Sequence, residues 1–184
     1  MNDVETQMNI IRNTFLLLLA FSVIFISCVK DGDNIPYEVI NYVEVDDPIP
    51  DFTVSDGEGH SFHSSEFKGK RSLLILYNTE CPDCGKVLPN IDAIVWPAIK
   101  DNPGYSLITV SREEKAETVK AYWAKNRFTM PTYLDPHRNV FSLFANNTIP
   151  RLYIINDEGV VEWMAIGKLN ISYEKLIAMI QSAG

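Results

Sequence analysis

The sequence predicts an α/β protein: a central mixed β-sheet flanked by helices on both faces, with an N-terminal β-hairpin extension. Two observations lead there. Short apolar runs with strand patterning, Leu73-Leu74-Ile75-Leu76-Tyr77, Tyr105 to Val110 and Leu152 to Ile155, alternate with segments whose apolar residues recur at helical spacing. Two turn-forming clusters, Asp56-Gly57-Glu58-Gly59 and Asn156-Asp157-Glu158-Gly159, each separate a pair of strand-like runs. The predicted order is hairpin, strand, helix, strand, helix, hairpin, helix. That order gives a parallel βαβ unit at the start of the sheet and an antiparallel hairpin at its end.

The elements follow in chain order. Phe52-Thr53-Val54 and His60-Ser61-Phe62-His63 form the first hairpin. Ser72 to Asn78 is the next strand. Val87, Leu88, Ile91, Ile94 and Val95 fall on one face of the first helix, which Pro89 should kink. After the strand Tyr105–Val110, Ser111 and Glu114 have the spacing of a capping box, and Val119, Tyr122 and Trp123 supply the apolar face of a second helix. Leu152 to Ile155 and Val160 to Ala165 make the last hairpin. Tyr173 to Ser182 closes the chain as a helix with Leu176, Ile177 and Ile180 inward.

The N-terminal part reads differently. Phe15 to Ile26 is an almost unbroken apolar run, preceded by Arg12 and followed by Ser27-Cys28. That is the length of a signal-peptide core and too short to span a bilayer. Small Ser27 before Cys28 resembles the lipobox of bacterial lipoprotein signals, in which cleavage leaves the cysteine lipid-modified. Phe25, where leucine is usual, and the acids Asp3 and Glu5 depart from that pattern. The expected organisation is a signal peptide at 1–27, a segment at 28–47 that is mainly a membrane tether, although Tyr37 to Val45 could form an edge strand, and one folded domain at 48–184. Lipidation at Cys28 places the protein in the bacterial cell envelope, facing the periplasm or the cell surface.

The formal charge of −8 contains no basic stripe, which argues against nucleic acid as a partner and against electrostatic docking on anionic lipid. With Cys28 lipidated, two of the three cysteines remain, Cys81 and Cys84, so no disulfide framework is available. They stand as Cys81-Pro82-Asp83-Cys84 where a strand-like run gives way to a helix-like one. Cys81 then falls at a helix N-terminus, where free N–H groups and the macrodipole stabilise a thiolate. Cys84 lies one turn below and can attack a mixed disulfide. Pro82 suits the first helical turn, where a missing N–H is no loss.

With these motifs the chain resembles the TlpA/ResA branch of the thioredoxin superfamily, related to the AhpC/TSA proteins. The resemblance runs from about Pro50 to the C-terminus. It rests on Asp51-Phe52-Thr53, Ser65-Glu66-Phe67-Lys68-Gly69-Lys70, the cysteine pair with Leu88-Pro89, Pro131-Thr132-Tyr133-Leu134-Asp135-Pro136, and Ile149-Pro150 ahead of the Asn156–Gly159 turn. It implies a thioredoxin-like fold and a membrane-tethered extracytoplasmic thiol-disulfide oxidoreductase. Cys81 would be the nucleophile, Cys84 the resolving thiol, and the two would cycle through a disulfide. Pro150 would be a cis proline whose neighbouring backbone, with Ile149, binds the substrate chain. Protein dithiols and disulfides would be the substrates, and a membrane or periplasmic electron donor would recharge the pair. No cofactor and no metal are expected.

Four positions depart from that family. Glu80 precedes Cys81 where an aromatic is common. Val87 stands where many members carry a glutamate, Arg151 where threonine is usual, and Ile75 where a buried Asp or Asn is found. No buried proton acceptor for Cys84 is evident. Glu80 and Asp83 oppose the helix N-terminus by like-charge repulsion on Cys81, each effect reaching about one pKa unit, near 1.4 kcal/mol. A weakly stabilised thiolate favours the disulfide, so a reductase or isomerase is expected rather than an oxidant. Arg151, beside the expected substrate groove, suggests an acidic partner. His60, His63 and His137 read as solvated. Two alternatives remain open. One is a peroxiredoxin-like peroxidase, although Leu74 and Asn78 occupy the positions of its proline and threonine. The other is a surface lipoprotein that uses the fold as a binding module.

Overall fold

Arg71–Tyr77 (β3) is the strand around which the sheet assembles. The computed structural model describes residues 38–182, and in it every residue from Ser72 to Tyr77 is buried. Leu74 and Leu76 enter one apolar core, and Leu73, Ile75 and Tyr77 enter the other. A strand covered on both faces needs a continuous apolar run, which is what the sequence supplies.

The other strands are Thr53–Ser55 (β1), Ser61–His63 (β2), Tyr105–Arg112 (β4), Thr132–Asp135 (β5), Arg151–Ile155 (β6) and Val161–Ile166 (β7). They form one seven-stranded sheet in the order β2-β1-β5-β4-β3-β6-β7. The pairs β3–β4 and β4–β5 are parallel; β3–β6, β6–β7, β1–β2 and β1–β5 are antiparallel. This is the thioredoxin-like arrangement, with the N-terminal hairpin added at one edge. Pro82–Asn90 (α1), Trp96–Ile99 (α2), Ala116–Asn126 (α3) and Tyr173–Gln181 (α5) cover one face. Phe141–Phe144 (α4) and the 3-10 turn Ser64–Phe67 cover the other, where Phe52, Phe62, Phe67 and Phe144 pack edge-on and tilted.

Several local expectations are corrected. β5 and α4 were not anticipated; β5 is a four-residue strand between Pro131 and Pro136, too short for a periodicity to show. The helical path from α1 to α2 passes through a π-turn at Ile91–Val95, where the Trp96 N–H reaches Ile91 O. Pro97 follows immediately; it has no N–H for Ala93 and its ring would crowd that carbonyl in a regular helix. The extra residue turns Ile94 out to solvent while Ile91, Val95 and Ile99 stay buried. The capping box is absent. β4 runs on to Arg112, α3 starts at Ala116 behind Lys115, and no side chain caps it.

The folded part also begins before residue 48. Tyr42 and Val43 N–H groups donate to Phe144 O at 2.9 and 3.3 Å, Asp46 N–H donates to Val161 O at 2.8 Å, and Val43 is buried. Residues from about Ile40 are therefore a strap on the domain rather than tether. The predicted signal segment and Cys28 lie outside the described residues. Among those described, no helix is long and apolar enough to cross a membrane.

The C-terminal helix is fastened by Arg71. Its guanidinium donates to Ile180 O at 2.9 Å and Met179 O at 3.1 Å, and pairs both nitrogens with the Glu162 carboxylate. These bonds satisfy the last carbonyls of α5 and tie it to β3 and β7. Arg71→Ala should lower unfolding free energy by about 2–3 kcal/mol in urea titrations, with Arg71→Lys recovering only part of it, since an ammonium lacks the fork.

Candidate active site

Cys81 is the N-cap of α1, in extended conformation, with Pro82 in the first turn. The strand-to-helix junction thus leaves its sulfur among the first free N–H groups of the helix. The Cys84 N–H donates to Cys81 Sγ at 3.4 Å. Both residues are free thiols; Cys81 is partly exposed and Cys84 is buried. Burial pushes the Cys84 thiol well up, because the anion would lose its hydration, while the Asn78 backbone amide offsets only part of that. An accessible first sulfur over a buried second one is the asymmetry that ordered disulfide exchange requires.

The antiparallel register of β3 with β6 brings the second part of the site to this point. Leu76 pairs with Arg151, so the start of β6 lies beside the end of β3. The Ile149–Pro150 peptide bond is cis, and Cys81 Sγ lies 3.7 Å from Ile149 O. Cys81, Cys84, Ile149 and Pro150, separated by up to 69 positions, therefore meet.

Arg151 does not face this groove. It is fully buried on the opposite side of the sheet, beside Phe141 and Tyr153. Its guanidinium donates to Asn147 O at 2.6 Å, Thr148 O at 2.9 Å and Asn41 Oδ1 at 2.8 Å, and lies 5.9 Å from the Phe141 ring centre. The acidic-partner expectation is thereby overturned. Alternation along β6 sends this side chain away from the dithiol, where it fixes the loop ahead of Ile149 and the strap at Asn41.

Of the two acids flanking the pair, Asp83 is bound to Lys86 at 2.7 Å, and that hydrogen bond holds its carboxyl below the usual range. Its charge is thus largely countered before it acts on Cys81. Glu80 is exposed, its N–H donating to Asn78 Oδ1. Val87 is buried, and Ile75 packs in the same core as Cys84, so neither α1 nor β3 puts a carboxylate beneath it. A buried acid comes from another element. Glu114, just after β4, is 7% exposed; its carboxylate accepts the Thr79 N–H at 3.0 Å and the Thr79 hydroxyl. Burial raises its pKa from the ordinary 4.5 more than these bonds lower it. The spacing to Ser111 suggested a helix cap, which hid this role. The telling signal was its position at the carboxyl end of a parallel strand, where α/β sites gather.

The AhpC/TSA family model matches residues 45–164. The chain belongs to the AhpC/TSA family. Among relatives of this AhpC/TSA protein, the thiol-disulfide oxidoreductase ResA of Geobacillus kaustophilus is 24% identical over 127 residues, covering 69% of this chain and 72% of that one. A candidate protein disulfide isomerase from Bacteroides thetaiotaomicron superposes with a TM-score of 0.69 at 28% identity, over 77% of this chain and 88% of its own. A thiol:disulfide interchange protein of the thioredoxin family from Chlorobium tepidum gives a TM-score of 0.61 at 20% identity, over 73% and 93% of the two chains. The fold of this AhpC/TSA member is that of thioredoxin.

The histidines lie apart from the dithiol. His60 bonds Asp56 at 2.7 Å, His63 caps the 3-10 turn and contacts Ser65 at 2.7 Å, and His137 is exposed. Among the described residues no three of His, Cys, Asp and Glu cluster to hold a metal.

Two outcomes follow from these contacts. Arg151→Met should lower stability by about 2–4 kcal/mol in chemical denaturation, since three half-buried carbonyl or amide oxygens lose their donor. For Glu114, the raised pKa means that its contribution to stability is complete below about 4.5 and is lost as pH rises through the folded value. Thermal melts should therefore show Glu114→Gln gaining on the unmodified chain between about pH 4 and pH 8.

Proposed function

We propose that this protein is a membrane-anchored, extracytoplasmic thiol-disulfide oxidoreductase that reduces or isomerises protein disulfides through Cys81 and Cys84. The observation that carries the reading is the half-exposed Cys81 sulfur at the start of α1, with Cys84 N–H at 3.4 Å and Ile149 O at 3.7 Å. The names of the relatives, the ResA oxidoreductase above all, support it.

The Cys81 thiolate attacks one sulfur of a substrate disulfide. A Cys81–substrate bond forms, and the other substrate sulfur leaves as a thiolate that takes up a proton. Cys84 then loses its proton and attacks the Cys81 sulfur; the Cys81–Cys84 bond forms and the second substrate thiolate departs. The substrate has gained two electrons and the pair is oxidised. A membrane or periplasmic dithiol donor returns it to the reduced form. In this reading the backbone at Ile149 and Pro150 aligns the substrate chain beside Cys81. Lipidation of Cys28 supplies the anchor. A peroxidase is disfavoured because Leu74, where its proline would stand, is buried in the sheet, away from the dithiol, in the opposite core.

Thiol trapping in defined glutathione buffers should give a reduction potential near or below about −200 mV for the pair; a value near about −120 mV would mark an oxidant. Cys81→Ser should abolish reduction of a model disulfide. Cys84→Ser should keep the first attack and accumulate a mixed disulfide visible on non-reducing gels.

A further inference from the structure

We propose that Glu114 is a positioning residue for the dithiol: its carboxylate, gripped by the Thr79 amide and hydroxyl, holds the turn that carries Cys81 and sets a buried negative charge behind the pair that biases it toward the disulfide. The inference rests on the redox reading of Cys81 and Cys84 and adds to it a residue from a different element.

The turn from Asn78 to Cys81 has few anchors of its own. Cys81 N–H donates to Asn78 O at 3.2 Å, and Glu80 N–H to Asn78 Oδ1 at 2.9 Å, both within the turn. Besides the Cys81 Sγ contact to Ile149 O, three hydrogen bonds tie it to the rest of the fold, and all three go to the end of β4. Asn78 Nδ2 donates to Arg112 O at 3.0 Å, and Thr79 gives its N–H and hydroxyl to Glu114. Glu114 is the side chain among these that carries charge, and it is 7% exposed, so water screens it little. Sequence position alone does not require an acid here, since α3 starts later, at Ala116, and takes no cap from it.

The groups around this carboxylate are known. The turn contributes Glu80, whose charge further disfavours ionisation of Glu114. β3 contributes Tyr77 and α3 contributes Tyr122, both with hydroxyls held neutral by burial in reach of the Glu114 charge. Tyr122 also feels Cys81 and Cys84, and its hydroxyl lies 3.9 Å from the Cβ position of Gly85, the residue after Cys84. Arg112 and Glu113 stand on the strand end next to it; Glu113 takes Arg112 at 3.1 Å, and the Arg112 guanidinium stacks 4.7 Å from the Phe141 ring centre. Among the described residues no ion pair reaches Glu114; the Arg112 charge bears on the sulfurs instead, where it favours the Cys84 thiolate and opposes the acid. A fixed negative charge here disfavours either thiolate, whereas the disulfide has no ionisable sulfur. The reduced pair is therefore destabilised relative to the oxidised one, which is the direction a reductant needs.

The test is the pH dependence of Cys81 alkylation in the reduced full chain, with the exchange equilibrium against glutathione measured beside it. In Glu114→Gln the alkylation midpoint should fall by about half a unit or more, and at pH 8 the equilibrium should move several-fold toward the dithiol. A purely structural role would change rates without moving the midpoint, so an unchanged midpoint and equilibrium overturn the proposal. Should Glu114→Gln fail to fold, the unmodified chain and Thr79→Val decide it. The log rate profile of the unmodified chain should carry a shoulder where Glu114 titrates. Loss of the Thr79 hydroxyl should move that shoulder to higher pH, because the anion is held less well. A single inflection in both, or an unmoved shoulder, overturns the proposal. If the unmodified pair never equilibrates with glutathione, the redox reading itself falls and takes this inference with it.

Discussion

The register between β3 and β6 is the constraint on which the site depends. β3 ends at Tyr77 and leads through a short turn to Cys81, while β6 begins at Arg151, opposite Leu76. Because the strands run antiparallel, the end of one meets the start of the other, and the dithiol faces the Ile149–Pro150 backbone. A slip of one residue would turn Arg151 toward the dithiol and Leu152 into the wrong core. The two apolar layers fix that register: Leu152 and Ile154 serve the core beneath α1, Tyr153 and Ile155 the opposite one.

Polar groups then hold the loops that the sheet only brings near. Arg151 binds the carbonyls of Asn147 and Thr148 from below, and Glu114 binds Thr79 from the side. Both are buried and both carry charge, so each is satisfied by several hydrogen bonds rather than by one ion pair. The two loops that flank the dithiol are thus held by two buried charged residues, one at the start of β6 and one just after β4. This division leaves α1 free of acids beneath its first turn, with Val87 and Ile75 packing where other proteins of this kind place carboxylates.

Charge near the dithiol is distributed unevenly. Asp83 is paired with Lys86, while Glu80 stays solvated and Glu114 sits out of water. An acid in the first helical turn stabilises the helix through its dipole whether or not it touches the chemistry. An acid buried behind the preceding turn is screened less by water than one on the helix surface. The same residue type has opposite consequences for the helix and for the thiolate, and depth decides between them.

The sequence alone determined the layer order, the strand-turn-helix junction with its cysteine pair, and both hairpins. Each of these is a local pattern: a continuous apolar run, a period of two or of 3.6, or a turn cluster. The pairing of the four-residue β5 and the seating of the strap from Ile40 were not legible, since their hydrogen bonds go to partners far along the chain, and the π-turn before Pro97 was not, since its local bond differs from a regular helix by a single residue. Arg151 and Glu114 show the same limit within the site. Beside Pro150, an arginine reads as a surface charge, and three residues after Ser111 a glutamate reads as a helix cap. Only the tertiary structure sends the first through the sheet to Asn41 and the second to Thr79. Local preference is worth about 1 kcal/mol, and a buried charge that finds its hydrogen-bonding partners outweighs it.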